Sequence, residues 1–278
     1  MAKDLSEQLM RHANNIRRHV IEMGRGGKAI HLGGAMSAAD ILSCLYFAVL
    51  NHRPGSPYWP GRDRFILSKG HAAVALYATL AEAGYFPAEL LSSFKNPNSP
   101  LQGHPDMTLL PGVEMSTGSL GQGLSVAVGL GIAGRLDNAR YRVYVMLGDG
   151  ELDEGQVWEA ALAASHFKLD NITAVIDRNG LQLDGVTEDI MGIEPLGEKW
   201  RAFGWSVIEA DGHDLHQLLD AFAEAKGVHG RPAVIVARTV KGRGVPFAEG
   251  KVGSHSMKLS EAQIAEALAA LEPSGGGI

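Results

Sequence analysis

Apolar side chains at Leu5, Leu9, Ala13, Ile16, Val20 and Met23 recur every three or four residues. This is the period of a helix that buries one face, and Gly24, Gly26 and Gly27 then stop it. After the loop His31-Leu32-Gly33-Gly34 the pattern predicts a second helix over about 37–50, with Ser37 as its cap. Short apolar runs bounded by turn residues follow at 64–67, 142–147, 172–176, 206–208 and 233–237. They alternate with helical patterns at about 72–83, 124–136, 157–167 and 215–226. Runs without polar alternation belong to strands covered on both faces, so the expected fold class is α/β, a parallel sheet with helices on both faces. Residues 240–258 read as loop, and Ser260-Glu261-Ala262-Gln263 reads as a capping box for a last helix ending before Pro273. No repeat or domain-scale linker breaks the pattern. Residues 1–272 are therefore expected to form one domain, with 273–278 a flexible tail.

Composition narrows the classes. The chain has 278 residues, 45% of them hydrophobic, enough for one large core. A net charge of −6 without a long basic block leaves no electrostatic footprint for nucleic acid. The single cysteine, Cys44, lies in an apolar run and reads as a small buried side chain, which leaves no disulfide framework. The uncharged stretch 115–134 has the length of a membrane span but carries six glycines. It is better read as a Gly-rich loop, 118–123, feeding a buried helix. The polar, charged N-terminus does not resemble a signal peptide, and a cytoplasmic protein with no membrane partner is the expectation.

The chemistry concentrates at Gly148-Asp149-Gly150, where an apolar run ends and four acids follow within ten residues. In a parallel sheet, ligands bind beyond the carboxyl ends of the strands. Two glycines there allow close approach of a ligand to the backbone, and a helix start offers free N–H groups to an anion. An aspartate beside that anion is an oxygen ligand for a hard cation such as Mg²⁺. Alone, the tripeptide is as readily a turn whose Asp caps a helix. The next apolar run ends in Asp177-Arg178-Asn179-Gly180, and Asn179 stands thirty positions after Asp149 (179 − 149 = 30). One helix plus one strand spans that distance, so the two side chains can meet at one edge. Four histidines, His31, His71, His104 and His255, each stand beside or near glycine in predicted loops, at separations that fit no zinc site.

GDGELDEG followed by IDRNGLQLDG resembles the thiamine diphosphate signature. Together with IHLGG, SKGHAA, LQGHPD, STGSLGQG and VGSHS, the chain resembles the N-terminal, diphosphate-binding region of transketolases from about Ile16 to about His255. The resemblance implies the thiamine diphosphate-binding (PP-type) fold. It implies that Asp149, Asn179 and the backbone carbonyl of Leu181 hold Mg²⁺ (or Ca²⁺ or Mn²⁺) on the cofactor's diphosphate. His71 and His255 would contact the diphosphate and the reacting centre. His31 and His104 would hydrogen-bond the sugar during proton transfer, work suited to an imidazole titrating near neutrality. Leu120 and Leu183 would pack on the thiazolium, Gly118 would approach the aminopyrimidine, and Gly150 would lie against the cofactor. Glu154, also placed at the cofactor, and Glu159 match positions of a shared carboxylate network at a dimer interface. Glu151 and Asp153 read as acids favoured by a helix N-terminus.

Single-chain transketolases continue into a pyrimidine-binding domain that carries the activating glutamate, and this sequence has no such region. The expected function is therefore one subunit of a thiamine diphosphate-dependent transketolase, moving a two-carbon ketol unit from a ketose (phosphate) to an aldose (phosphate). A separate C-terminal subunit would complete it as a heterotetramer (α₂β₂), and the chain alone should be nearly inactive. One part of an enzyme similar to deoxyxylulose phosphate synthase, or a non-catalytic module of the same fold, is the alternative, and a shortened piece of a longer chain would read the same way. The segment Ser256-Met257-Lys258-Leu259-Ser260 departs from the family pattern.

Overall fold

The computed structural model describes residues 2–272, so the expected tail 273–278 lies outside the described residues. Helix α1 (Ala2–Met23) ends at the predicted glycines, and strand β1 (Ala29–Ile30) leads into helix α2 (Leu32–Cys44). Strand β2 (Arg64–Leu67), helix α3 (Ala73–Glu82), helix α4 (Gln122–Leu136), strand β3 (Val143–Gly148), helix α5 (Gly155–His166) and strand β4 (Ile172–Arg178) follow. Beyond them come the short helices α6 (Thr187–Ile190) and α7 (Leu196–Ala202), strand β5 (Ser206–Asp211), helix α8 (Leu215–Gly227), strand β6 (Ala233–Arg238), strand β7 (Met257–Lys258) and helix α9 (Glu261–Ala270).

Five strands pair in parallel in the order β2-β3-β4-β6-β5. Alternate side chains of each strand enter different layers. Tyr144 and Met146 join α1, α2, α3 and α8 in one apolar cluster, whereas Val143, Val145 and Leu147 join α4, α5 and α7 in the other. Two covered faces explain why β2, β3, β4 and β6 lack polar alternation, whereas the edge strand β5 exposes Glu209 and Asp211. The register aligns Gly148 with Asp177 and Asp177 with Ala237, so β3, β4 and β6 end side by side. The antiparallel pair β1-β7 matches Ile30 with Met257, which fastens the chain just after His255 to the chain just before His31.

Three sequence expectations are corrected. Ser37 is not a cap: α2 starts five residues earlier, at Leu32, and Ser37 is buried inside it with its hydroxyl donating to Asp177 Oδ2 at 2.6 Å. Nearly every residue of α2 is apolar, so helical periodicity could not mark its start. The helix after the Gly-rich loop is buried on one face only, through Gly123, Leu124, Ala127, Val128, Gly131 and Gly134, while Gly129 is exposed. Glu151 is not a solvated helix acid but is 2% exposed. Cys44 is buried as expected, and Ser260 and Gln263 form the capping box. Among the described residues one segment, Leu32–Val49, is long and apolar enough to cross a membrane, and 83% of it is buried within the protein.

Candidate functional site

A cavity of about 380 Å³ opens at the carboxyl edge of the sheet. Gly34 of α2, the turn of Lys69 and His71 after β2, the loop of Gly118 and Leu120 before α4, and the ends of β3 and β4 line it, with Lys241 and His255 on the far side. The local sequence explains the convergence. Gly70 lies so close to the 116–123 loop that a Cβ there would come within 2.6 Å of the Thr117 carbonyl carbon. Gly121 takes a left-handed φ of 80° just ahead of α4, where a side chain would also meet Glu154.

Asp149, Asn179 and Leu181 meet at this cavity. Asp149 is 2% exposed, its Oδ1 accepting from the Gly150 N–H at 2.9 Å and its Oδ2 from the Gly180 N–H at 2.6 Å. Burial, with the neighbouring charge of Asp177, pushes its carboxyl above the usual range. A carboxylate raised in this way gains from a cation. A carboxylate, an amide oxygen and a backbone carbonyl are the hard oxygen donors that Mg²⁺ takes, so the donor set fits such an ion. Among the described residues no three His, Cys, Asp or Glu side chains converge as a metal site, so such an ion would need oxygens from its ligand and from water.

The four histidines cluster. Ring centroids lie 5.5 Å apart for His31 and His71, 5.5 Å for His31 and His255, 5.2 Å for His71 and His255, and 6.1 Å for His31 and His104. His104 is exposed, against Gly118, and of the four rings His71 and His255 line the cavity itself while His31 and His104 do not. Burial first, then the charges of Lys69 and the neighbouring rings, pushes His71 down to about 2. Burial, then Lys241, lowers His255 to about 4. His31 is lowered by burial, then by His104 and Lys95. These three rings are neutral at pH 7 and can each donate from one nitrogen and accept at the other.

Leu120 and Leu183 both line the cavity, Leu183 being 60% exposed at its edge, and Gly150 forms part of its floor. Glu154 and Glu159 are exposed on the α5 side and do not reach it. Several lining groups escaped the motif reading. Lys69, 1% exposed, pairs with Asp177 and donates to the Gly34 carbonyl at 2.9 Å. Burial alone would raise the Asp177 carboxyl, but Lys69, Ser37 and Thr239 outweigh it and hold it below the usual range. Lys241 donates to the carbonyls of Leu181 and Gln182 at 3.1 and 3.2 Å, and burial, then Lys69, lowers its ammonium to about 8. Glu151 accepts from Ser68 Oγ, from the Gly121 N–H at 2.9 Å and from the Gly148 N–H at 3.0 Å, which ties three of the converging loops together. The SKGH and VKGRG contexts of the two lysines, beside glycine at strand ends, were the available signals.

The chain matches the family model described as transketolase, thiamine diphosphate binding domain, over residues 9–273. It is 46% identical over 275 residues to a 6-deoxy-6-sulfo-D-fructose transketolase subunit of Clostridium sp. (strain MSTE9), covering 98% of this chain and 100% of that protein. It is 44% identical over 250 residues to an apulose-4-phosphate transketolase subunit of Actinobacillus succinogenes, covering 90% of each. The transketolase structure from Leishmania mexicana superposes with a TM-score of 0.89 at 35% identity, over 95% of this chain and 41% of that one.

Proposed function

From the premise that this chain belongs to the transketolase family, as its thiamine diphosphate-binding domain, we infer what completes it and how its cavity serves one subunit of a thiamine diphosphate-dependent transketolase. The observation that carries the reading is the meeting, at one strand edge, of Asp149, Asn179 and Leu181 with three neutral histidines and two buried lysines. We assign Asp149, Asn179 and the Leu181 carbonyl to Mg²⁺, and His71, Lys69 and Lys241 to the neighbourhood of the diphosphate. Residues 1–272 act as one domain in this reading.

Bound thiamine diphosphate supplies the nucleophilic carbon and the electron sink for a two-carbon unit. The chain's own groups do the rest. Leu120 and Leu183 wall the cavity with apolar surface and exclude water, and Gly118 leaves room for the aminopyrimidine. His255 and His31, neutral at pH 7, accept protons from sugar hydroxyls at their free ring nitrogens, and His104 at the rim hydrogen-bonds the incoming sugar. Glu154 and Glu159 stand outside the cavity, on a face where a second copy or a partner would meet them.

The relatives' names share a ketose that ends in an anion, a sulfonate in one and a phosphate in the other. We take the substrates here to be of that class, and the protein to be cytoplasmic. Those relatives are named as subunits, and this chain covers 41% of the Leishmania mexicana transketolase chain. A separate C-terminal subunit, two copies of each chain per assembly, therefore supplies the pyrimidine-binding half. The test is transfer of a two-carbon unit from a phosphorylated or sulfonated ketose to an aldose acceptor by the two-subunit assembly. Transfer that requires both thiamine diphosphate and Mg²⁺ supports the reading, and transfer indifferent to both overturns it.

A further inference from the structure

Arg178 stands between the candidate cation ligand Asp149 and two acids of the segment that follows Leu183. Its Nη1 donates to Asp149 Oδ2 at 3.2 Å, and its Nη2 donates to Glu188 Oε1 at 2.9 Å and to Glu194 Oε1 at 3.1 Å. The side chain is 13% exposed and Asp149 3%, so water screens their interaction poorly. One guanidinium thus gathers three carboxylates that would otherwise repel one another.

The cavity's other buried charges complete the account. Asp177 is matched by Lys69, and the Glu151 carboxylate is held by three donors. Lys241 reaches two backbone carbonyls, and among the described residues no carboxylate lies within ion-pair distance of it. Three buried acids, Asp149, Glu151 and Asp177, therefore face two buried cations, Lys69 and Lys241, and the partly exposed Arg178, which Glu188 and Glu194 share, with Asp184 exposed at the rim. The balance at Asp149 itself is set by Arg178, which meets an arriving bare divalent ion with a fixed positive charge. A diphosphate reverses that balance, because it brings its own negative charge and its own oxygens.

We propose that Arg178 is a positioning residue that closes the Asp149 site to free divalent cations, so that the metal is taken up only together with a diphosphate. This rests on the cofactor site assigned above. The chemical logic is competition: Arg178 already satisfies the charge of Asp149, and a divalent ion placed beside it meets a fixed positive neighbour at short range. Removing the guanidinium leaves the buried Asp149 without its fixed cation, so an arriving hard metal meets an unpaired carboxylate.

The experiment is equilibrium dialysis of the two-subunit assembly against Mn²⁺, first without a diphosphate and then with inorganic pyrophosphate. Wild-type protein is expected to retain Mn²⁺ only when pyrophosphate is present. Arg178→Gln is expected to retain Mn²⁺ alone, at least about tenfold more tightly than wild type. Arg178→Lys should restore wild-type behaviour, and adding Asp149→Asn to Arg178→Gln should abolish the gain. Wild-type protein that retains Mn²⁺ alone as tightly as it does with pyrophosphate overturns the proposal, whether or not the variants fold. So does a gain in Arg178→Gln that survives Asp149→Asn. Wild-type protein that retains no Mn²⁺ even with pyrophosphate contradicts the cofactor site itself, and the proposal falls with it.

Discussion

Glu151→Ala should destabilise the protein by about 2–6 kcal/mol. The carboxylate is 2% exposed and accepts from two backbone N–H groups, Gly121 at 2.9 Å and Gly148 at 3.0 Å, and from the Ser68 hydroxyl. The hydroxyl can rotate to another acceptor, but the two amides cannot. Each buried donor left unpaired costs about 1–3 kcal/mol, so two give about 2–6 kcal/mol. Glu151→Gln keeps one carbonyl oxygen for one amide but leaves the other amide unpaired and turns a buried NH₂ toward it, so the loss is at least about 1–3 kcal/mol. Urea unfolding of the cofactor-free protein measures both, with an unchanged slope showing that the same surface is exposed. A Glu151→Ala variant within about 0.5 kcal/mol of wild type would refute the reasoning, since surface substitutions cost no more than that.

The remaining predictions concern the cavity. Asp149→Ala should abolish Mg²⁺-dependent binding of thiamine diphosphate, measured by calorimetry, because the other buried carboxylates of the cavity are already engaged, Asp177 by Lys69 and Glu151 by Ser68 and two backbone N–H groups; unchanged affinity would remove Asp149 from the site. His104→Ala should slow transfer by about a hundredfold or more while leaving cofactor affinity within a few fold, as expected for a proton-handling group at the rim; equal losses in both would assign it a structural role. Stability of the ligand-free protein should fall as the pH drops below about 6.5, because the unfolded chain protonates its histidines there while folded His255 resists to about 4 and His71 to about 2. The slope is at most about 1.4 kcal/mol per pH unit for each ring, and His71→Asn should flatten it; an unchanged slope would show that His71 takes up its proton in the folded state.

Much of the fold was legible because the central strands are short, largely apolar and separated by helices, while the edge strand β5 alternates, with Glu209 and Asp211 exposed. The run at 64–67 matches β2, and the thirty-residue spacing placed Asp149 and Asn179 just past the ends of adjacent strands. The start of α2 was not legible, since thirteen buried residues in succession carry no amphipathic period. The four histidines were legible as a set through their glycine-flanked loops, yet sequence alone could not bring His31 and His255 to 5.5 Å; the two-residue pairing of β1 with β7 does that. Glu151 and Arg178 escaped because their roles depend on partners distant in sequence or on burial. An acid at a helix start looks the same whether water or Gly121 and Gly148 satisfy it.

The claim that this chain is one half of a divided transketolase is tested most directly by separation and recombination. Ketol transfer from a phosphorylated or sulfonated ketose, with thiamine diphosphate and Mg²⁺ in excess, would be followed for the isolated chain, for its partner chain and for the mixture. The account predicts negligible transfer by either chain alone and full transfer on mixing. Transfer by the isolated chain at the rate of the mixture would contradict it.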